Sequence, residues 1–157
     1  MTFIILLSSS PNYKFEDYSI YHENIQITDP SGVQTSGLSN YKNSIRFLQS
    51  LVGILYNMDR SRVQNRMIYD FTRSSIRVTW NVVLVPKVVG NARNSLYVDG
   101  VSVYSLNAKG EIIEHRFEKL LINNNPVVPP YNVFLSLTQG LMTNPSTDGL
   151  VPVGIGA

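Results

Sequence analysis

Apolar positions follow a helical period most clearly in the second quarter of the chain. They recur there at spacings of three and four, at Ile45, Leu48, Val52 and Leu55. This spacing is typical of an amphipathic helix with one apolar face, here of about 17 residues. The break at Gly37 and the hydroxyl of Ser39, which can accept a hydrogen bond from a first-turn amide, predict where the helix begins. Asn57 to Asp59 predict where it ends.

Beyond this helix the apolar period changes to two, which is typical of β-strands. One run carries Val63, Met67, Tyr69 and Phe71 on one face, and the next carries Ile76, Val78, Trp80, Val82 and Leu84 before Pro86. Two further runs, residues 96 to 106 and 112 to 122, flank a turn that ends at Gly110. Four long strands with short turns predict an antiparallel meander packed on the helix, and therefore an α+β fold. Ile25 and Ile27 predict one more short strand, before a turn at residues 28 to 32.

The composition changes after Leu120, where Asp148 is the only charged residue among five prolines and four glycines. We therefore predict a domain over residues 1–125 and an extended apolar tail over residues 126–157. Residues 131 to 142 fit either a short helix or a strand, and either cover the domain or dock on a partner. Residues 144 to 157 favour docking, because prolines lower the entropy lost on ordering. The predicted partner-binding residues of this tail are Tyr131, Phe134, Leu141, Leu150, Val151 and Ile155.

Composition excludes several classes of protein. Charged residues make up 15% of the 157 residues and hydrophobic ones 43%, a balance that excludes a disordered chain. No apolar run approaches the roughly 18 residues of a membrane span. The chain has no cysteine, which excludes disulfides and thiolate chemistry. The apolar start, residues 1 to 7, lacks a basic region and a cleavage site, so we predict no targeting segment.

Basic residues are concentrated in the middle of the chain. Residues 42 to 93 hold nine basic and two acidic residues, whereas both flanking segments are net acidic. Arg60, Arg62 and Arg66 could meet phosphates or an acidic partner surface. The alternative is a solvated face whose arginines pair with acids of the same chain, and the lack of the basic and aromatic motifs of common RNA-binding modules favours it.

Motifs that carry catalytic or ligand-binding chemistry are missing from the sequence. His22 and His115 are the only histidines and lie far apart, so we predict no metal site and no cofactor. One acid-base hypothesis remains, in which His115 is a general base in a pocket between sheet and helix, with Asp29, Asp99 or Tyr104 as partners. In the alternative, His115 and Tyr104 make cross-strand contacts and Asp29 caps a turn. Trp80 could line such a pocket by stacking, or belong to the core.

A set of short motifs resembles a known family. They are Asp17-Tyr18-Ser19-Ile20-Tyr21, Ile27-Thr28-Asp29-Pro30, Gly37 with Asn40-Tyr41-Lys42, Val78-Thr79-Trp80 with Pro86, Asp99-Gly100, Gly110, and Glu114-His115-Arg116. Over residues 13 to 123 the chain resembles an uncharacterised family of plants, algae and cyanobacteria within the nuclear transport factor 2-like (NTF2-like, or SnoaL-like) superfamily. The resemblance implies a cone-like domain in which a curved antiparallel sheet wraps around helices and leaves a cavity, lined here by Trp80, His115 and Tyr41. It also implies a plastid setting, soluble or peripheral to the thylakoid.

The resemblance does not carry an activity, because one scaffold serves isomerases, dehydratases, cyclases, transport factors and assembly modules in this superfamily. We expect a non-catalytic accessory or scaffold subunit that binds protein subunits of a larger, photosynthetic assembly through the basic block and the tail. One rival hypothesis is a small-molecule binding protein, or an isomerase-like or dehydratase-like enzyme, that uses His115, Asp29 and Tyr104. A third is an RNA-binding accessory protein that uses the arginines.

Overall fold

The computed structural model describes residues 18–87, 95–128 and 132–143 of the chain. Within these residues the protein forms seven strands and two helices. In chain order they are β1 (Tyr21–Asp29), β2 (Gly32–Ser36), α1 (Leu38–Leu55), β3 (Tyr56–Asp70), β4 (Ser75–Pro86), β5 (Leu96–Leu106), β6 (Ile112–Ile122), β7 (Asn125–Pro126) and α2 (Val133–Met142). The predicted α+β class and the predicted short strand at Ile25 and Ile27 are confirmed.

The strands form one sheet in the order β2, β1, β6, β5, β4, β3, with β7 paired to β6. Strands β3 to β6 are the predicted antiparallel meander. Strand β1 pairs with β6 in parallel. The sequence pattern did not indicate this pairing. Several register shifts interrupt the ladders, and such bulges bend strands locally. The meander leaves β3 at one edge of the sheet.

Helix α1 covers one face of the sheet with the apolar stripe that the sequence indicates. Its buried residues are Tyr41, Ile45, Leu48 and Val52. Its start differs from the prediction, because Gly37 occupies the N-cap position at φ 94° and no side chain caps the helix. Ser39 lies inside the first turn instead. The helix ends at Leu55, since Tyr56 is already extended and begins β3.

The centre of the core is an aromatic contact that depends on a glycine. The Trp80 ring on β4 lies against Gly100 on β5, where a Cβ would overlap the ring. The indole Nε1 donates to the Ser102 hydroxyl over 3.0 Å, so the ring is fixed at its polar end as well. Trp80 is completely buried and is a core residue.

Helix α2 belongs to the core of the domain. It occupies the segment for which the sequence left helix and strand open. Val133, Leu137 and Leu141 are buried, and Gly140 lies close to Ile122 of β6. The Tyr56 hydroxyl donates to the Leu141 carbonyl over 2.7 Å, and burial raises the pKa of Tyr56 to about 12.

The side chain of Leu141, which was predicted to bind a partner, is buried by the domain itself. An amphipathic helix of this length turns its apolar face toward the nearest open core surface, here the end of the sheet beside α1. Tyr131, Leu150, Val151 and Ile155, with the predicted docking segment 144–157, lie outside the described residues.

Candidate functional site

The residues proposed for acid-base chemistry lie in the interior. His115 is on β6, Tyr104 is directly opposite on β5, and Tyr41 is on the buried face of α1. All three side chains are completely buried. The fold therefore brings together His115 and Tyr104, as the catalytic hypothesis requires, and adds Tyr41, which the resemblance had placed in a cavity.

These three residues form a packed cluster. The Tyr41 hydroxyl and His115 Nδ1 are 3.1 Å apart and hydrogen-bonded. The imidazole is stacked between the rings of Tyr104 and Phe117, with centroid distances of 4.3 and 4.4 Å. Burial lowers the pKa of His115 well below 6.5 and raises the pKa of Tyr41 and of Tyr104 well above 10.0. At neutral pH the cluster is therefore uncharged.

Asp29 makes its hydrogen bonds within its own turn. Its Oδ1 accepts from the Ser31 amide over 2.8 Å and from Gln34 Nε2 over 3.0 Å, so it caps the turn between β1 and β2. The other carboxylate oxygen is buried and has no hydrogen-bond partner within the described residues. No hydrogen bond among the described residues joins Asp29 to His115 or Tyr104. The structure thus pairs His115 with Tyr41 and leaves Asp29 in its turn.

Two grooves of the described residues lie away from this cluster. One groove of about 400 Å³ lies at the end of β3, and its walls include Ile68, Phe71 and Val103. Another, of about 500 Å³, lies between the helices and includes Phe47 of α1 and Phe134 of α2. Neither groove includes Trp80, His115 or Tyr41, the residues expected to line a cavity. Phe134, predicted to bind a partner, is half-buried and faces the second groove.

The three predicted arginines lie along the first part of β3, and we call Arg60, Arg62 and Arg66 the basic edge. All are exposed, and none forms an ion pair within the described residues. The arginines of the inner strands differ, because Arg77 and Arg116 both bind Glu118. Partial burial alone would raise the pKa of Glu118, but the hydrogen bonds from Arg77 and Arg116 outweigh it and lower that pKa. Within the basic block, Arg77 pairs with Glu118 and Arg73 with Asp70, whereas the basic edge has no ion pair among the described residues.

The second part of β3 and its turn expose large apolar side chains. The exposed fractions are 47% for Met67, 52% for Ile68, 43% for Tyr69 and 85% for Phe71. The rings of Tyr69 and Phe71 contact each other edge to face, with their centroids 4.5 Å apart. The sequence placed three of these residues on an apolar face but did not show that the face stays open. One sequence signal for this exposure was available. Ile68 is apolar although it lies between Met67 and Tyr69, so the strand does not alternate as a strand with one buried face would.

The described residues were also compared with the requirements of a membrane-spanning helix and of a metal site. Among them no helix is long and apolar enough to cross a membrane. The same residues contain no group of three histidine or carboxylate side chains placed to hold a metal ion.

Comparison with known proteins gives a family and a fold. No curated protein matches this chain significantly. The structure of an NTF2-like protein of unknown function from Exiguobacterium sp. 255-15 is similar, with a TM-score of 0.53 and 16% identity over 80% of this chain and 95% of that one. The epoxide hydrolase/cyclase-like enzyme SalBIII, with a role in pyran ring formation in salinomycin, has a TM-score of 0.45 and 17% identity over 74% of this chain and 83% of its own.

Only the first of these two similarities is strong enough to argue from, and at its low identity it shows the fold and not an activity. A family model described as uncharacterized conserved protein (DUF2358) matches residues 5–115, which is well over half of the chain. The chain therefore belongs to the DUF2358 family, and its domain has the NTF2-like fold.

Proposed function

We propose that this protein is a non-catalytic accessory domain that binds a partner protein within a larger assembly, with the basic edge as its main contact surface. The observation that carries the proposal is the exposure of three neighbouring arginines without an ion pair among the described residues. Arg77 and Arg116 make such pairs within the same sheet. Cations kept apart from the acids of their own chain are suited to an acidic partner surface.

The interior supports the same proposal. His115 and Tyr41 are hydrogen-bonded to each other, and aromatic rings cover both faces of the imidazole. A general base must come within about 3 Å of the proton it removes. In this arrangement the neighbours of His115 are protein side chains, which suits a structural role.

The test is the native complex of the full-length protein. We expect the protein from its own cells to migrate with a partner at a defined stoichiometry by native mass spectrometry. Replacing Arg60, Arg62 and Arg66 together by Glu should release the partner, whereas replacing the exposed residues Arg46, Lys109 and Lys119 by Glu should not, although the charge changes equally. If the triple replacement of Arg60, Arg62 and Arg66 left the partner bound at the same stoichiometry, the proposal would be contradicted.

The setting of this assembly is part of the proposal. We place it in a plastid, at or near a photosynthetic membrane complex, because the motifs from Asp17 to Arg116 resemble those of a family found in photosynthetic organisms. Fractionation of plastids from the native source tests this placement. Recovery of the protein outside the plastid would contradict the location without affecting the role of the basic edge.

A second candidate function is favoured by one specific observation. The Tyr104 hydroxyl is buried beside His115 and has no hydrogen-bond partner within the described residues. A buried polar atom of this kind is what a small ligand could satisfy. A ligand screen that shifts the NMR signals of Tyr104 and His115, and fails with Tyr104→Phe, would favour a binding protein or an isomerase-like enzyme over the accessory role.

A further inference from the structure

Strand β3 is the last strand of the sheet. From Arg62 to Asp70 it pairs with β4 in an unbroken antiparallel register, and among the described residues no strand lies on its other side. In an antiparallel ladder, alternate residues direct their amide and carbonyl groups away from the neighbouring strand. Roughly four residues of this stretch therefore offer backbone groups to a further strand. An open edge of this kind is a template for strand addition.

The side chains of this edge are sorted by face. Met67 pairs with Val78 and Asn65 with Trp80, and both partners are in the core. The odd-numbered residues of β3 therefore point toward the inner face of the sheet. Arg62, Gln64 and Arg66 point to the outer face, where residues 81 and 79, opposite Gln64 and Arg66, are exposed and Val83, opposite Arg62, is half-buried.

The two faces require different chemistry from any strand that joins this edge. On the outer face, an added strand would place its side chains beside Arg62 and Arg66. On the inner face, its alternate side chains would lie beside Met67 and Tyr69, which are partly exposed hydrophobic residues. Side chains of neighbouring strands that lie opposite each other contribute through charge or apolar contact. The matching sequence alternates carboxylates with apolar residues.

We propose that β3 receives an extended segment of the partner protein as an additional strand, with acidic side chains on the outer face and apolar side chains on the inner face. This inference rests on the proposed function and specifies how the partner binds. Backbone hydrogen bonds supply much of the affinity in this mode of recognition, and the alternating side chains supply the specificity.

Charge favours this occupant over a second copy of the chain. From Asp59 to Arg66 the strand carries three arginines and one carboxylate. Two copies paired through this stretch would bring Arg62 and Arg66 of one molecule close to those of the other, and like charges facing each other across a ladder are destabilising. A strand bearing carboxylates avoids this repulsion and neutralises the edge.

The test uses the full-length protein and a labelled peptide of about nine residues that alternates Glu with Val, the length of an ordinary strand. We expect saturable binding by fluorescence anisotropy and slower amide hydrogen exchange in Arg62–Asp70. The R62E/R66E variant should bind at least about tenfold more weakly, since attraction becomes repulsion. The matched R46E/K109E variant, which changes the charge equally at two exposed sites, should bind as the wild type does.

A second peptide tests the backbone ladder. N-methylating two adjacent central residues removes one amide donor on each side of the peptide while keeping every side chain, and should weaken binding at least about tenfold. If the N-methylated peptide binds as well as the original, or exchange in β3 is unchanged, strand addition is overturned. The proposed function would still stand on the native complex and its dependence on the basic edge.

Three further outcomes would also overturn this inference. One is failure of the Glu-Val peptide to bind while the native complex still requires the basic edge. Another is tighter binding of a single-stranded oligouridine than of the peptide, lost in R62E/R66E, which would assign the edge to RNA. The third is a dimer by light scattering that R62E/R66E dissociates, which would assign the edge to a second copy of the chain.

Discussion

His115 and Arg62 are both basic side chains on strands of the same sheet, and they have opposite surroundings. His115 lies at the centre of the sheet, completely buried, hydrogen-bonded to Tyr41 and stacked between two rings. Arg62 lies on the edge strand, exposed, without an ion pair among the described residues. The first is placed to stabilise the domain, because Tyr41 binds its Nδ1 and aromatic rings stack on the imidazole. The second is the kind of residue that the proposed function assigns to a partner surface.

Among the interior residues, Gly100 should be the most sensitive to substitution. Gly100→Ala should lower the free energy of unfolding by about 3 kcal/mol, because the new methyl group overlaps the Trp80 ring in a filled core. Urea unfolding monitored by tryptophan fluorescence measures the change. Gly53→Ala is the matched control, since nothing lies within 4 Å of its added Cβ, and it should stabilise α1 by about 0.5 kcal/mol. Equal effects of both changes would mean that the interior is not tightly packed.

The next prediction compares two buried tyrosines of the same cluster. Tyr41→Phe removes the hydrogen bond to His115 Nδ1 and should cost about 1 to 2 kcal/mol of unfolding free energy, since a buried acceptor or donor loses its partner. Tyr104→Phe removes a hydroxyl that has no hydrogen-bond partner within the described residues and should change stability by less than about 0.5 kcal/mol. The same urea titration compares the two variants. A large loss in Tyr104→Phe would contradict the assignment of hydrogen bonds in the cluster.

These interior contacts show which parts of the fold can be predicted from the sequence and which cannot. The periods of three to four and of two gave α1, the four long strands and the turn at Gly110, because each depends on neighbouring residues. The pairing of β1 with β6 and the contact of Tyr41 with His115 join residues far apart in the chain, and no local pattern encodes them. Leu141 illustrates the same limit, since its apolar character fits a partner surface and the domain's own core equally well.

The candidate surface was partly accessible from the sequence. Arg60, Arg62 and Arg66 were identified from charge alone, but their lack of ion pairs depends on the meander, which places β3 at the edge and Arg77 beside Glu118. The exposure of Met67 and Tyr69 depends on which parts of the chain pack over this end of β3. Sequence patterns report which residues share a face, and they do not report what covers that face.

Acid should weaken the interior and leave the edge unaffected. Burial lowers the pKa of His115 below 6.5, so the folded state binds fewer protons there than the unfolded state. The contribution of the neutral imidazole is fully present above pH 6.5 and is lost as the pH falls from there toward the lowered value. The slope from this one group is at most about 1.4 kcal/mol per pH unit.

His115→Gln is the comparison for this prediction, because glutamine stays neutral at every pH and the other titrating groups are retained. Urea unfolding between pH 7 and pH 5 should show stability falling more steeply in the wild type than in the variant. Parallel curves would mean that the imidazole binds protons equally in the folded and unfolded states, as a solvent-exposed histidine does, and the interior would then resemble the edge.

The smallest expected effect concerns the edge itself. Arg62→Ala should change the free energy of unfolding by less than about 0.5 kcal/mol, because an exposed side chain without an ion pair contributes little to stability. Arg77→Ala should cost more, up to about 1 kcal/mol, since it breaks a partly exposed pair with Glu118 and surface pairs are worth no more than this. Chemical denaturation of both variants decides the order. If Arg62 proved the more stabilising of the two, its place on the surface would be explained by the fold, and the case for a partner at this edge would lose its main support.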